Sequence, residues 1–241
     1  MIPIKMSTQP NDETCGPTSL HSIYNYFGDK ITLEETISTV RYLKGGGTLD
    51  VLLGIHALER GYKATVYTYN MVLFDPSWFV SGVDIKTKLK EQLKYKTKKR
   101  IVEATPFYIE FLEKGGVLKH QNLTNRLLRK YLDSDVPILT GVSSTYLYQT
   151  TREYTTDDDR VLANDLRGYP VGHFVVLAGY DEDEEHIIVA DPYSNNPISG
   201  DNYYGVGVSR LINSILLGIV TFDADLLIIE PIHDPSIKLE G

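Results

Sequence analysis

The sequence predicts an α+β protein, with helices leading and strands following. Three observations carry this. Apolar residues recur at helical spacing through the first half, as in Leu20, Ile23, Tyr24 and Phe27. From residue 136 onward the apolar stretches become short, β-branched and bounded by turn residues. The two kinds of segment are segregated, which argues against repeated βαβ units.

The elements follow in order. A first helix begins around Pro17, whose missing N–H costs nothing in a first turn, and Gly28 closes it. Thr32 and Glu35 have the spacing of a capping box for a short second helix. A turn at residues 45–47 leads to a third helix from about Thr48. It carries Val51, Leu52, Ile55 and Leu58 on one face and ends at Gly61. Residues 63–69 alternate and read as a strand. Residues 83–133 read as mostly helical, with Ile85, Leu89 and Leu93 every fourth residue, then Leu123, Leu127, Leu128 and Tyr131. Residues 137–141, 173–180, 186–190 and 226–229 read as strands. The acidic turn at 181–185 makes its two flanking strands antiparallel neighbours. Residues 146–172 form a long polar connection of the kind that carries function or mobility.

The 241 residues suffice for one good-sized domain, and 42% hydrophobic with 23% charged residues excludes a disordered chain. A formal net charge of -8 argues against nucleic acid as a partner. Cys15 is the single cysteine, so there is no intrachain disulfide and no Cys-rich zinc site. A lone thiol suits a reducing compartment. The first residues lack the apolar core of a secretory signal, and the apolar run at 211–222 is broken by Asn213, Ser214, Gly218 and Thr221. The expectation is a cytoplasmic protein with no membrane partner, no cofactor and no metal.

Cys15 stands at the mouth of the first helix, behind the polar run Asn11-Asp-Glu-Thr and before Gly16-Pro17. A helix N-terminus favours a thiolate and can lower its pKa well below about 8.5. A buried, inert cysteine is the other reading. A thiolate also needs a base. His21 lies six residues on, far around the same helix. His56 sits inside the third helix as a partly exposed or packed imidazole; His120, His186 and His233 lie in polar or edge settings. His173 differs, because it opens the apolar strand Phe174-Val-Val-Leu-Ala-Gly. The next strand ends in Asp191-Pro192, so Asp191 is placed to orient the imidazole. A satisfied core histidine and a turn-initiating Asp-Pro remain open alternatives for these two. Gln9 is either a surface glutamine or an amide donor to an oxyanion.

At these residues the sequence resembles the peptidase C39-like families, relatives of papain. The matching pieces are Gln9-Pro-Asn-Asp-Glu-Thr-Cys15-Gly-Pro-Thr-Ser-Leu, Gly172-His173-Phe-Val-Val-Leu-Ala-Gly-Tyr-Asp, and Val189-Ala-Asp191-Pro. Gly47-Thr-Leu-Asp-Val-Leu-Leu and Phe74-Asp-Pro-Ser-Trp-Phe support them. The resemblance implies a papain-like fold. A helical lobe (about 10–133) holds the cysteine at a helix N-terminus, and an antiparallel sheet lobe (about 134–232) carries histidine and aspartate. Together they form one domain over 1–241. It implies Cys15 as nucleophile, His173 as base, Asp191 as orienter and Gln9 as oxyanion donor. The activity implied is that of a cysteine peptidase on a peptide or isopeptide-like amide, through an acyl-thioester. Transfer of the acyl group to an amine, and a non-catalytic peptide-binding module, are the alternatives. Transporter-linked members of the clan trim leaders after paired glycines, but no span or Walker-type loop stands here, so that substrate does not carry over.

Two further features have readings of their own. Residues 86–100 hold eight Lys/Arg against one Glu, either a dock for an anionic group or a solvated helix face. Asp157-Asp158-Asp159 reads as a mobile acidic loop, since no spaced oxygen ligands mark calcium.

Overall fold

Helix α1 (Cys15–Tyr26) buries most of its length, from Gly16 to Tyr24. Gly28 ends it in the left-handed region at φ 80°. That conformation brings the Asp29 N–H back to the Tyr24 carbonyl at 3.0 Å. Helix α2 (Leu33–Thr39) starts in the expected capping box, with the Glu35 N–H donating to Thr32 Oγ1 at 3.1 Å. Helix α3 (Asp50–Glu59) and strand β1 (Tyr62–Thr68) follow. The computed structural model describes residues 1–156, 158 and 160–232. His233, Asp157 and Asp159 lie outside the described residues.

The segment read as mostly helical holds α4 (Ile85–Gln92), α5 (Lys99–Glu113) and α6 (Asn125–Leu132), but also a short strand, β2 (Val117–Lys119). Three residues are too few to show a period, and β2 forms by parallel pairing with β1. The later half supplies β3 (Ile138–Ser143), α7 (Ser144–Tyr148), β4 (Glu153–Thr155), β5 (Val161–Ala163), β6 (Gly172–Asp181) and β7 (His186–Ala190). It ends with β8 (Tyr203–Gly207), α8 (Val208–Leu217) and β9 (Asp225–Pro231). The connection at 146–172 is therefore not plain loop: β4 and β5 pair as a hairpin within it.

Seven strands form one sheet in the order β2-β1-β9-β3-β6-β7-β8, antiparallel except between β1 and β2. The central strand β3 is buried throughout, and its buried Thr140 is satisfied by donating to the Asp225 carbonyl at 2.7 Å. Helix α1 lies against β6, where Ser19 Oγ donates to the Phe174 carbonyl at 3.3 Å. The approach is close: a Cβ at Gly16 would stand 2.6 Å from Thr48 Cγ2 and 3.2 Å from Phe174 Cδ2. Glycine at 16 is thus what lets the cysteine-bearing helix reach the sheet. Of the basic segment, Lys86 and Lys90 approach Glu113 at 3.8 and 3.3 Å, while Lys94, Lys96, Lys98 and Lys99 face solvent. No helix among the described residues is long and apolar enough to cross a membrane.

Three buried aspartates, Asp50, Asp223 and Asp225, gather where α3 meets β9. Asp225 accepts from the Tyr108 hydroxyl at 2.9 Å. Both Asp50 oxygens lack a hydrogen-bond partner among the described residues. Burial, then the charges of Asp225 and Asp223, raise Asp50 well above the carboxylate range. Burial pushes Asp225 up to about 6. A raised carboxyl binds more protons folded than unfolded, so its share of stability falls as pH rises above about 4. Asp50→Asn keeps the shape without the titration. Its melting temperature is expected to exceed that of wild type by a margin that grows from pH 4 to 8. Each kcal/mol is read as about 2–4 °C for a chain of this size. A margin flat with pH would show that Asp50 titrates normally.

Candidate active site

Cys15 is the first residue of α1 and is half-buried. The first bond of the helical ladder runs from the Thr18 N–H to the Thr14 carbonyl at 3.0 Å. Pro17 has no N–H, so Cys15 and Gly16 carry the donors at the helix mouth. His173 is the second residue of β6, opposite Val142 of β3. The position before it admits no side chain, because a Cβ at Gly172 would lie 2.9 Å from Thr221 Oγ1.

Asp191 follows β7. Val176 pairs with Ala190, so one step further Asp191 faces Val175. His173 then lies two residues along on the same face, a diagonal cross-strand neighbour. The outcome is a hydrogen bond of 2.8 Å from His173 Nε2 to Asp191 Oδ1, in surroundings where His173 is 9% and Asp191 0% exposed. With Nε2 engaged, Nδ1 is the nitrogen left for the thiol.

The Asp191 carboxylate is satisfied on both oxygens. Oδ1 also accepts the Tyr193 N–H at 2.8 Å. Oδ2 accepts the hydroxyls of Tyr148 and Tyr204, each at 2.7 Å. Burial and the Asp191 charge raise both phenols, which therefore stay protonated donors. Neither Tyr148 nor Tyr204 is among the site residues that the sequence suggests. Nothing in their spacing marks them; they converge because α7 and β8 flank β6 and β7.

The electrostatics follow from these neighbours. Burial works against the His173 cation, but the charge and hydrogen bond of Asp191, with Cys15 behind them, push it up to about 10. Burial likewise raises the Cys15 thiol, yet the hydrogen bond and charge of His173 and backbone bonds from Phe174 and Gly16 bring it below its ordinary value. Burial raises Asp191, and His173, Tyr148 and the Tyr193 N–H outweigh it to hold the carboxyl below its ordinary range. All three shifts act in one direction, toward a thiolate–imidazolium pair backed by a carboxylate.

Gln9 is tied to the same end of the sheet by its N–H, which donates to the Pro192 carbonyl at 2.8 Å. Its side-chain Nε2 donates to the Asn11 carbonyl at 3.0 Å, leaving one amide hydrogen, and its Oε1 is buried without a partner among the described residues. Gln9, Tyr148 and His173 line one cleft of about 880 Å³, together with Glu153, Tyr154 and Val161 of the β4–β5 hairpin. The other described histidines are elsewhere. His56 bonds Tyr24 and Thr39 at 2.8 and 3.0 Å, and His120 bonds the Thr68 carbonyl at 2.9 Å. No group of three or more His, Cys, Asp or Glu among the described residues can hold a metal ion.

Comparison with solved structures finds the same fold in a Bacillus anthracis protein assigned as a C39-like peptidase. The TM-score is 0.51 at 13% identity, over 95% of this chain and 96% of that one. Xylellain, a cysteine protease from Xylella fastidiosa, aligns with a TM-score of 0.41 at 16% identity, over 97% of this chain and 85% of its own. Comparison with curated protein sequences gives no significant match. Residues 1–206 match the Peptidase_C39 like family. The chain therefore belongs to the peptidase C39-like family and is a cysteine peptidase, a hydrolase, on a papain-like α+β fold.

Proposed function

We propose that Cys15, His173 and Asp191 act as a catalytic triad that hydrolyses a peptide amide through a thioester. The observation that carries this reading is the 2.8 Å bond from His173 Nε2 to the buried Asp191, which leaves Nδ1 for the thiol at the helix mouth. The Cys15 thiolate attacks the carbonyl carbon. The oxyanion accepts the Cys15 N–H and the remaining amide hydrogen of Gln9. His173 then gives its Nδ1 proton to the leaving amine, and the C–N bond breaks. Water attacks the thioester, His173 takes its proton, and the acid leaves as the thiolate re-forms. His173 Nε2–H stays on Asp191 throughout, which keeps the ring in one orientation. The reading takes residues 1–241 as one working domain and, because the nucleophile is a free thiol, places it in the reducing cytoplasm.

The test is the iodoacetamide alkylation rate of the native protein against pH. The expected curve has its thiolate limb below the usual thiol value of about 8.5. Peptide hydrolysis is expected to rise on that same limb and fall as His173 loses its proton near 10. A thiol titrating at or above 8.5 would reject the triad.

A further inference from the structure

We propose that the cleft selects a peptide carrying a lysine or arginine side chain beside the scissile amide, held by Glu153 and Asp12 against the ring of Tyr169. This rests on the catalytic reading above and adds the substrate class.

Besides His173, the charged side chains lining the cleft among the described residues are Asp12 and Glu153; no lysine or arginine is among them. His173 is neutralised by Asp191, so the cleft presents two carboxylates to whatever enters. Neither is in an ion pair among the described residues. Walls of one sign around a recess focus the field and draw in the opposite charge.

Glu153 and Tyr169 form a direct cross-strand pair. The Glu153 N–H donates to the Tyr169 carbonyl at 3.2 Å and the Tyr169 N–H to the Glu153 carbonyl at 2.8 Å. Residues paired this way put their side chains on one face, about 5 Å apart at Cβ. Tyr169 is 76% exposed, so its ring lies open beside an uncommitted carboxylate. A carboxylate next to an aromatic face suits an ammonium or guanidinium. The hairpin's own cations are engaged otherwise. Arg160 pairs with Asp158 at 2.7 Å, Arg152 donates to the Asp165 carbonyl, and Arg167 stacks on Tyr154 at 4.4 Å. Asp12 lines the same cleft from the loop three residues before Cys15, on the side of the chain that carries the thiol.

The experiment uses two chloromethyl ketones, of N-acetyl-lysine and N-acetyl-norleucine, which differ in one charge. Each inactivation rate is divided by the rate with the same thiol in unfolded protein. The lysine reagent is expected to be favoured about tenfold in wild type. Glu153→Gln, and more fully Glu153→Gln with Asp12→Asn, are expected to bring that ratio toward one. Iodoacetamide is the uncharged reference for the nucleophile itself. Rapid alkylation by iodoacetamide with equal ketone rates would overturn this inference alone. Slow reaction with all three reagents would overturn the catalytic reading and this inference with it. A preference for lysine that survives both substitutions would also overturn it.

Discussion

His173→Ala is expected to move the Cys15 titration upward, past the ordinary thiol value, and to cut peptide hydrolysis by about a thousandfold or more. The sign follows from which influences remain. In the folded chain burial raises the thiol, and His173 supplies the two largest opposing effects, a hydrogen bond and a positive charge. Without the imidazole, only the backbone bonds from Phe174 and Gly16 oppose burial. The alkylation limb should therefore cross from below about 8.5 to above it. Hydrolysis suffers doubly, since the thiolate is scarce at neutral pH and the leaving amine has no proton donor. Alkylation and hydrolysis of the same preparation, each followed from pH 5 to 10, read the two losses separately. A variant whose alkylation curve overlays wild type would show that His173 does not face the thiol.

Asp191→Ala is expected to cost both activity and fold. The carboxylate collects His173, Tyr193, Tyr148 and Tyr204, and all of its bonds are lost together. Removing one partner of a buried ion pair costs about 3–5 kcal/mol, which at about 2–4 °C per kcal/mol lowers the melting temperature by roughly 10 °C. The pH window follows from the two shifts. The raised His173 contributes stability that is full below its unfolded value near 6.5 and is lost as pH rises through about 10. The depressed Asp191 contributes stability present above its unfolded value near 4 and lost as pH falls through its lower folded value. The gap between wild type and Asp191→Ala is therefore widest between about pH 4 and 6.5 and narrows on either side. Melting curves at pH 3, 5.5 and 9 test this; a gap largest at pH 9 would contradict it. Asp191→Asn separates the roles, because an amide can retain part of the hydrogen bonding while withdrawing the charge that holds His173 protonated.

Much of the frame was legible from residue order. The Thr32–Glu35 spacing announced α2, the Leu20-Ile23-Tyr24-Phe27 face announced α1, and residues 186–190 announced β7. These signals are local: a cap, a helical period and a run of β-branched residues act within a few residues of one another. What could not be read is non-local. β2 is three residues that become a strand only beside β1. β8 carries Gly205 and Gly207, which dilute its strand pattern, yet it pairs along its whole length with β7. Tyr148 and Tyr204, 56 positions apart in the chain, meet on one oxygen of Asp191.

The sequence by itself determined that this protein has one thiol, that it opens a helix, and that a histidine and an aspartate end neighbouring strands. Those are consequences of spacing and of helix and strand chemistry, and they hold wherever the elements pack. The tertiary structure decided the rest. The strand register sets His173 and Asp191 on one face, Gly16 and Gly172 leave the room for α1 and Thr221 to close in, and burial with four donors makes Asp191 a held anion. The thiol's acidity is likewise a balance of burial against charges brought from distant parts of the chain. Charge and desolvation act through space, so the chemistry of Cys15 exists only once the sheet has assembled around it.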